Sequence, residues 1–174
     1  MNKWRKRNRL FSPSYRRLTL ITVSQKIFDP GTNITSFLEK NYESGATVTF
    51  IGQVRDFLSN EAGGNTLVTA LEIEHYPGMT QNELERIAKE AAQNWTIDDI
   101  LIYHRYGLLT PSDPIVLVGV AAKHRSPAFS ACEFIIDWLK IKAPFWKREH
   151  TENKKIWVEA KGHDQLKAQT WKNN

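Results

Sequence analysis

Ile115–Glu149 reads IVLVGVAAKHRSPAFSACEFIIDWLKIKAPFWKRE. Its first seven residues, Ile115 to Ala121, are almost continuously hydrophobic, the pattern of a strand covered on both faces. His124-Arg125 follows that strand. Ser126 and Pro127 then open a helix, Ser126 as its cap and Pro127 in its first turn. Phe129, Ile136 and Leu139 mark an apolar side. The helix runs to about Lys142 and stops before Pro144, because a proline drives the residue before it out of the α region. A second basic cluster, Lys147-Arg148, comes next. Positive charge therefore brackets both ends of one helix, which suits a small anionic substrate.

Outward from this unit the chain alternates strand and helix signals. Leu18 to Val23 and Ala46 to Val54 are β-rich. Asp29-Pro30-Gly31 reads as a turn, and Asn33 to Asn41 as a short helix. Asn60 to Asn65, with Gly63-Gly64, reads as a loop. Leu67 to Ile73 is the next strand, ended by Tyr76-Pro77-Gly78. Thr80 and Glu83 have capping-box spacing, and Leu84, Ile87, Ala88 and Ala91 follow at helical spacing up to about Trp95. Ile100 to His104 is a strand, Pro111 to Pro114 a turn, and Ile156 to Ala160 a last strand. This order predicts an α+β sandwich with helices on one face of a mixed sheet.

Size and charge narrow the function. A chain of 174 residues fits one domain. No apolar run approaches the roughly 20 residues of a membrane-spanning helix. The single cysteine, Cys132, excludes an internal disulfide and suits a reducing, cytoplasmic setting. The net charge is +5, but residues 1–17 hold seven of the 24 Lys and Arg residues and no acid. The other 17 cations face all 19 acids, leaving the body near −2. Excess basicity thus belongs to the N-terminal extension, which weakens a nucleic-acid reading of the folded part. That extension reads as a disordered segment, with an Arg-rich transit peptide as the alternative.

Several residues carry chemical promise, each beside a plainer reading. His124 and Arg125 at a helix N-terminus make an anion pocket for phosphate or carboxylate, or else a solvated basic turn. Lys140, crowded by Lys142, Lys147 and Arg148 and partly buried, would have a lowered pKa and serve as acid, base or nucleophile; otherwise it complements the helix dipole. Lys147, Arg148 and Glu149 project from a base made rigid by Pro144 and two aromatics, or form a charged loop. Arg55 ends a strand whose Gly52 permits close backbone approach. Cys132 reads as core. Six tryptophans show no stacking array, and no metal-ligand spacing is present.

The body also resembles the large, catalytic subunit of the molybdopterin synthase family. The matching pieces are Gly45–Phe57 (GATVTFIGQVRDF), Leu71–Thr80 (LEIEHYPGMT), Ile102–Leu109 (IYHRYGLL), Val118–Phe129 (VGVAAKHRSPAF), Asp137–Glu149 (DWLKIKAPFWKRE) and Trp157–Ala160 (WVEA). They cover roughly 18–164, leaving 1–17 and 165–174 as tails. The resemblance implies an α/β-hammerhead-type fold with an added α+β portion. It implies a sulfurtransferase that builds the molybdopterin dithiolene from cyclic pyranopterin monophosphate for molybdenum cofactor biosynthesis. The implied sulfur donor is the Gly-Gly thiocarboxylate of a small ubiquitin-like sulfur-carrier subunit, and the implied assembly is a homodimer within a heterotetramer. No metal or other cofactor is implied for this step. Lys140 and Lys147 match the family's catalytic lysines. Gln53, Val54, Arg55, His124, Arg125, Lys140, Lys147, Arg148 and Glu149 match its substrate-binding positions. Gln53 stands where relatives often carry lysine, and Lys161 where arginine often follows WVEA; lysine supplies charge but no bidentate fork. The competing reading is a nucleic-acid-binding α+β module that uses the basic tail.

Overall fold

The computed structural model describes residues 19–59, 65–158 and 170–171. The extension 1–17, residues 60–64 of the loop expected at Asn60 to Asn65, Lys161 and the end of the WVEA motif lie outside these residues, while Asn65 opens a strand instead. Ten strands and three helices are described: β1 (Leu20–Ser24), α1 (Pro30–Lys40), β2 (Ala46–Gln53), β3 (Phe57–Ser59), β4 (Asn65–Leu67), β5 (Ala70–His75), α2 (Pro77–Asn94), β6 (Asp99–Arg105), β7 (Gly107–Leu109), β8 (Pro114–Ala122), α3 (Arg125–Ile141), β9 (Phe145–His150) and β10 (Lys155–Val158).

The fold is mixed α+β, but the expected single sheet is two. The first has the order β1-β6-β8-β2, the second β10-β9-β5-β7, and β3 pairs with β4 as a separate ribbon. The first sheet is mixed, since β1 runs parallel to β6 while β6 and β2 run antiparallel to β8. β8 is buried along almost its whole length, as its apolar run predicts. Its alternation divides the core. Val118, Val120 and Ala122 join α2 and α3 in the main cluster, whereas Leu117 and Ala121 meet Phe37 of α1 in another. Helices therefore cover both faces of this sheet, not one. Gly119 makes the second face possible: a Cβ there would stand 3.2 Å from the Phe37 ring.

Helix boundaries shift for local reasons. Asp29-Pro30-Gly31 opens α1 instead of forming a turn. The Asp29 carboxylate accepts from Thr32 N–H at 2.7 Å, and Pro30 takes the first helical position. Tyr76-Pro77-Gly78 likewise starts α2, so Thr80 sits a turn inside it and is no cap. Glu83 pairs with Arg86 at 2.7 Å instead. The stripe Leu84, Ile87, Ala88 and Ala91 is buried as the spacing predicts. His124, not Ser126, is the N-cap residue of α3.

Candidate active site

α3 runs back along β8 to the end of the first sheet where β9 begins. Its last turn carries Lys140, and Pro144 then turns the chain into β9. The Lys147–Glu149 stretch is therefore a strand, with Lys147 opposite Ile73 and Val158. Strand alternation puts Lys147 and Arg148 on opposite faces. Lys147 shares the face of Phe145, while Arg148 donates to Glu72 at 2.8 and 3.0 Å and lies 4.7 Å from the centre of the Trp157 ring. Bonds from His150 and Arg148 hold the Glu72 carboxyl below its ordinary pKa.

Two pockets meet at Lys140. One, of about 410 Å³, lies between β2 and α3 and is lined by Thr49, Phe50, Phe129, Cys132 and Ile136, with Glu133 and Asp137. The other, of about 510 Å³, lies between the end of α3 and β9–β10 and is lined by Lys140, Lys142, Pro144, Trp146, Lys147 and Trp157. The fold thus brings both expected catalytic lysines to one cavity. Lys140 itself is exposed, so the partial burial expected for it does not hold. Lys142 lies over the Trp138 ring at 3.9 Å.

The remaining expected residues sit elsewhere. Arg125 opens α3 and Lys140 nearly ends it; fifteen residues at 1.5 Å each separate them by about 22 Å. His124 and Arg125 are exposed, and neither pocket reaches them. Gln53, Val54 and Arg55 follow a bulge in β2 and line neither pocket. Val54 is buried, its N–H bonded to Asp113 O and its carbonyl to Ser112 N–H at 3.0 and 2.9 Å, which ties this segment to the 112–113 turn. Gln53 donates to Ser112 O at 3.3 Å, and Arg55 is exposed. Glu149 pairs with Leu71 and Ile156 within the sheet.

Cys132 is buried as expected, and burial followed by the Glu133 charge pushes its thiol up to about 12. It stays protonated and is no nucleophile at neutral pH. Among the described residues, no group of three or more His, Cys, Asp or Glu is placed to hold a metal. Two features were missed in the sequence. His104, at the end of β6, is buried against Phe145 near Lys147. Trp146 and Trp157, half exposed, form walls of the lysine pocket. Both depend on pairings between distant strands, which local spacing does not carry.

Known proteins resemble this chain over the same span. Residues 23–142 match the family model described as MoaE protein, a stretch that holds Lys140 but ends before Lys147. The molybdopterin synthase catalytic subunit of Pseudomonas aeruginosa is 47% identical over 152 residues, 87% of this chain and 97% of that protein. The solved structure of a molybdopterin biosynthesis MoaE protein from Burkholderia ambifaria is 41% identical, with a TM-score of 0.72 over 89% of this chain and 99% of that one. Molybdopterin synthase from Staphylococcus aureus is 28% identical, with a TM-score of 0.70 over 82% of this chain and 98% of that one. No helix among the described residues is long and apolar enough to cross a membrane.

Proposed function

The chain belongs to the MoaE protein family, and from that premise we infer that it is the catalytic subunit of a molybdopterin synthase. It is a sulfurtransferase of molybdenum cofactor biosynthesis. It moves sulfur from the thiocarboxylated C-terminus of a small sulfur-carrier subunit to cyclic pyranopterin monophosphate.

One observation carries the assignment of roles: two pockets of opposite character share Lys140 as their common wall. The pocket beside β2 has mostly apolar walls, which suits a thin Gly-Gly tail threading in, since glycine tolerates close backbone approach, with Lys140 at its end to meet the anionic thiocarboxylate. The pocket beside β9 holds three lysines, which suits the anionic precursor. A thiocarboxylate reaching Lys140 from the first meets a ring carbon presented in the second. Lys140 then moves protons during the transfer, and Lys147 stabilises developing negative charge.

His124 and Arg125 cannot reach that pocket from the same copy, given the length of α3. We therefore assign them to the phosphate across a two-fold dimer, each copy completing its partner's site. Arg55 is assigned to the substrate with them, and Arg148 acts through its clamp on Trp157. A cytoplasmic setting belongs to the same proposal, because a thiocarboxylate, like a thiol, keeps its free sulfur only where reductants maintain it.

The test mixes the protein with thiocarboxylated small subunit and cyclic precursor and follows dithiolene product. No product from the intact protein overturns the reading. Product from Lys140→Ala at the intact rate overturns the role of Lys140.

A further inference from the structure

Of the five tryptophans among the described residues, Trp95, Trp138 and Trp171 pack into the main core. Trp146 and Trp157 belong to none of the buried clusters. They are 50% and 51% exposed, line the pocket at the end of α3 with Lys140 and Lys142, and share the Arg148 face of β9 and β10, opposite Lys147. Indole surface left in water forfeits the stabilisation that burial gives it, so two such rings beside the lysines call for a ligand. Trp157 is also held in place. The Arg148 guanidinium lies 4.7 Å from the centre of its ring and is itself tied to Glu72 by two hydrogen bonds. That clamp fixes the indole plane.

We propose that Trp157, backed by Arg148, and Trp146 form the stacking surface for the planar pyrimidinone ring of the substrate's pterin, with Lys140 and Lys142 taking its anionic groups. The proposal rests on the synthase reading and deepens it, because lysines alone recognise charge and not a pterin. The cavity, about 510 Å³, has the size of a small-molecule site. It is concave and cationic, which favours a flat, anion-bearing ligand over the surface of a second protein. Stacking of a heteroaromatic base on an aromatic side chain is sequence-tolerant and strong. The geometry therefore explains how the ring is gripped without a hydrogen-bonding partner for each edge.

The experiment compares Trp157→Leu and Trp157→Phe, and the same pair at Trp146, in the complete synthase. KM is measured separately for cyclic precursor and for small subunit. In parallel, quenching of tryptophan fluorescence is recorded with a pterin that lacks phosphate, and with inorganic phosphate as the control. We expect Trp157→Leu to raise KM for the precursor about ten- to a hundredfold, with KM for the small subunit near the intact value. Trp157→Phe should restore most of the loss. The pterin should quench the intact protein, the leucine variants less, and phosphate should not quench. Unchanged KM for the precursor overturns the proposal. So does a rise confined to the small subunit, which would make the tryptophans a protein-docking surface. Absence of product from the intact synthase counts against the enzyme reading instead, and the quenching then still decides whether these rings bind a pterin.

Discussion

The imidazole of His104 lies flat on the ring of Phe145, with centroids 3.7 Å apart and planes 11° from parallel. This contact joins the end of β6 to the start of β9, and so joins the first sheet to the strand that carries Lys147. His104 Nδ1 donates to Arg105 O at 2.8 Å, which sets the tautomer of a neutral ring. Burial first, and the Lys147 charge second, lower its pKa from 6.5 to about 3. The unfolded chain therefore takes up a proton that the folded chain refuses. His104 costs no stability above pH 6.5, and stability falls as the pH drops from there toward 3, by up to about 1.4 kcal/mol per pH unit. Burial of His75 lowers its pKa and adds in the same direction. Urea midpoints measured between pH 7.5 and 5 should decline in the intact protein and decline less in His104→Gln. Equal slopes would show that His104 is not the buried neutral group described.

Replacing Lys140 or Lys147 by alanine should lower the rate of dithiolene formation on the order of a hundredfold or more, the usual cost of losing a positioned acid–base or charge-stabilising group. Lys140 is exposed on the last turn of α3, so its removal should leave the melting temperature within about a degree or two. Single-turnover product formation beside a thermal melt separates the two effects. A Lys140→Ala protein that melts far below the intact one would be reporting a structural residue.

The separation of Arg125 and Lys140 along α3 leads to a complementation test. Arg125→Ala and Lys140→Ala should each be nearly inactive alone. Refolded together at random, half of the dimers carry one of each, and such a dimer holds one intact composite site and one doubly altered site. About a quarter of the intact activity should therefore return. No recovery above the sum of the separate variants would place both residues in the same copy's site and contradict the shared arrangement.

The legible parts of the fold are those whose signal is local. The apolar run of β8 and the Leu84-Ile87-Ala88-Ala91 stripe state their burial directly, and both are buried. Helix starts were misread at Thr80 and Ser126 because capping patterns recur by chance. Pro77 instead sets the start of α2, and His124 precedes the first turn of α3. β9 was hidden because Lys147, Arg148 and Glu149 read as a charged loop. In a strand with period two, the same charges separate onto opposite faces, Lys147 to the side of Phe145 and Arg148 to the side of Glu72 and Trp157. Spacing put cations at both ends of one helix and suggested one site. The rise of the helix makes them ends of different sites. The pairing of Trp157 with Arg148 requires β10 beside β9, a register that no motif announces.

Arg105 is the least expected contributor, and it supports a last prediction. It is 6% exposed, its Nη1 stands 3.3 Å from both Asp113 Oδ2 and Pro114 O, and its Nε is buried with no hydrogen-bond partner found. Asp113 in turn accepts from Thr110 N–H at 3.0 Å through its side chain and from Val54 N–H through its backbone. The Thr110 bond first, and Arg105 with it, hold the Asp113 carboxyl below its ordinary pKa. Arg105 thus pins the 110–114 turn, where Ser112 adopts a φ of 71°, and the turn pins Gln53 to Arg55. Removing the guanidinium leaves a buried gap and a carboxylate without its cation. Arg105→Ala should therefore lose about 2 kcal/mol or more of stability. It should also raise KM for the precursor more than KM for the small subunit, because the loosened segment carries Arg55. Arg105→Lys should recover the charge but not the packing of the buried planar guanidinium, and land between the two. Urea unfolding and the paired KM values check this. Wild-type KM for the precursor in a destabilised Arg105→Ala protein would confine the residue to stability and remove the Gln53–Arg55 segment from the substrate's reach.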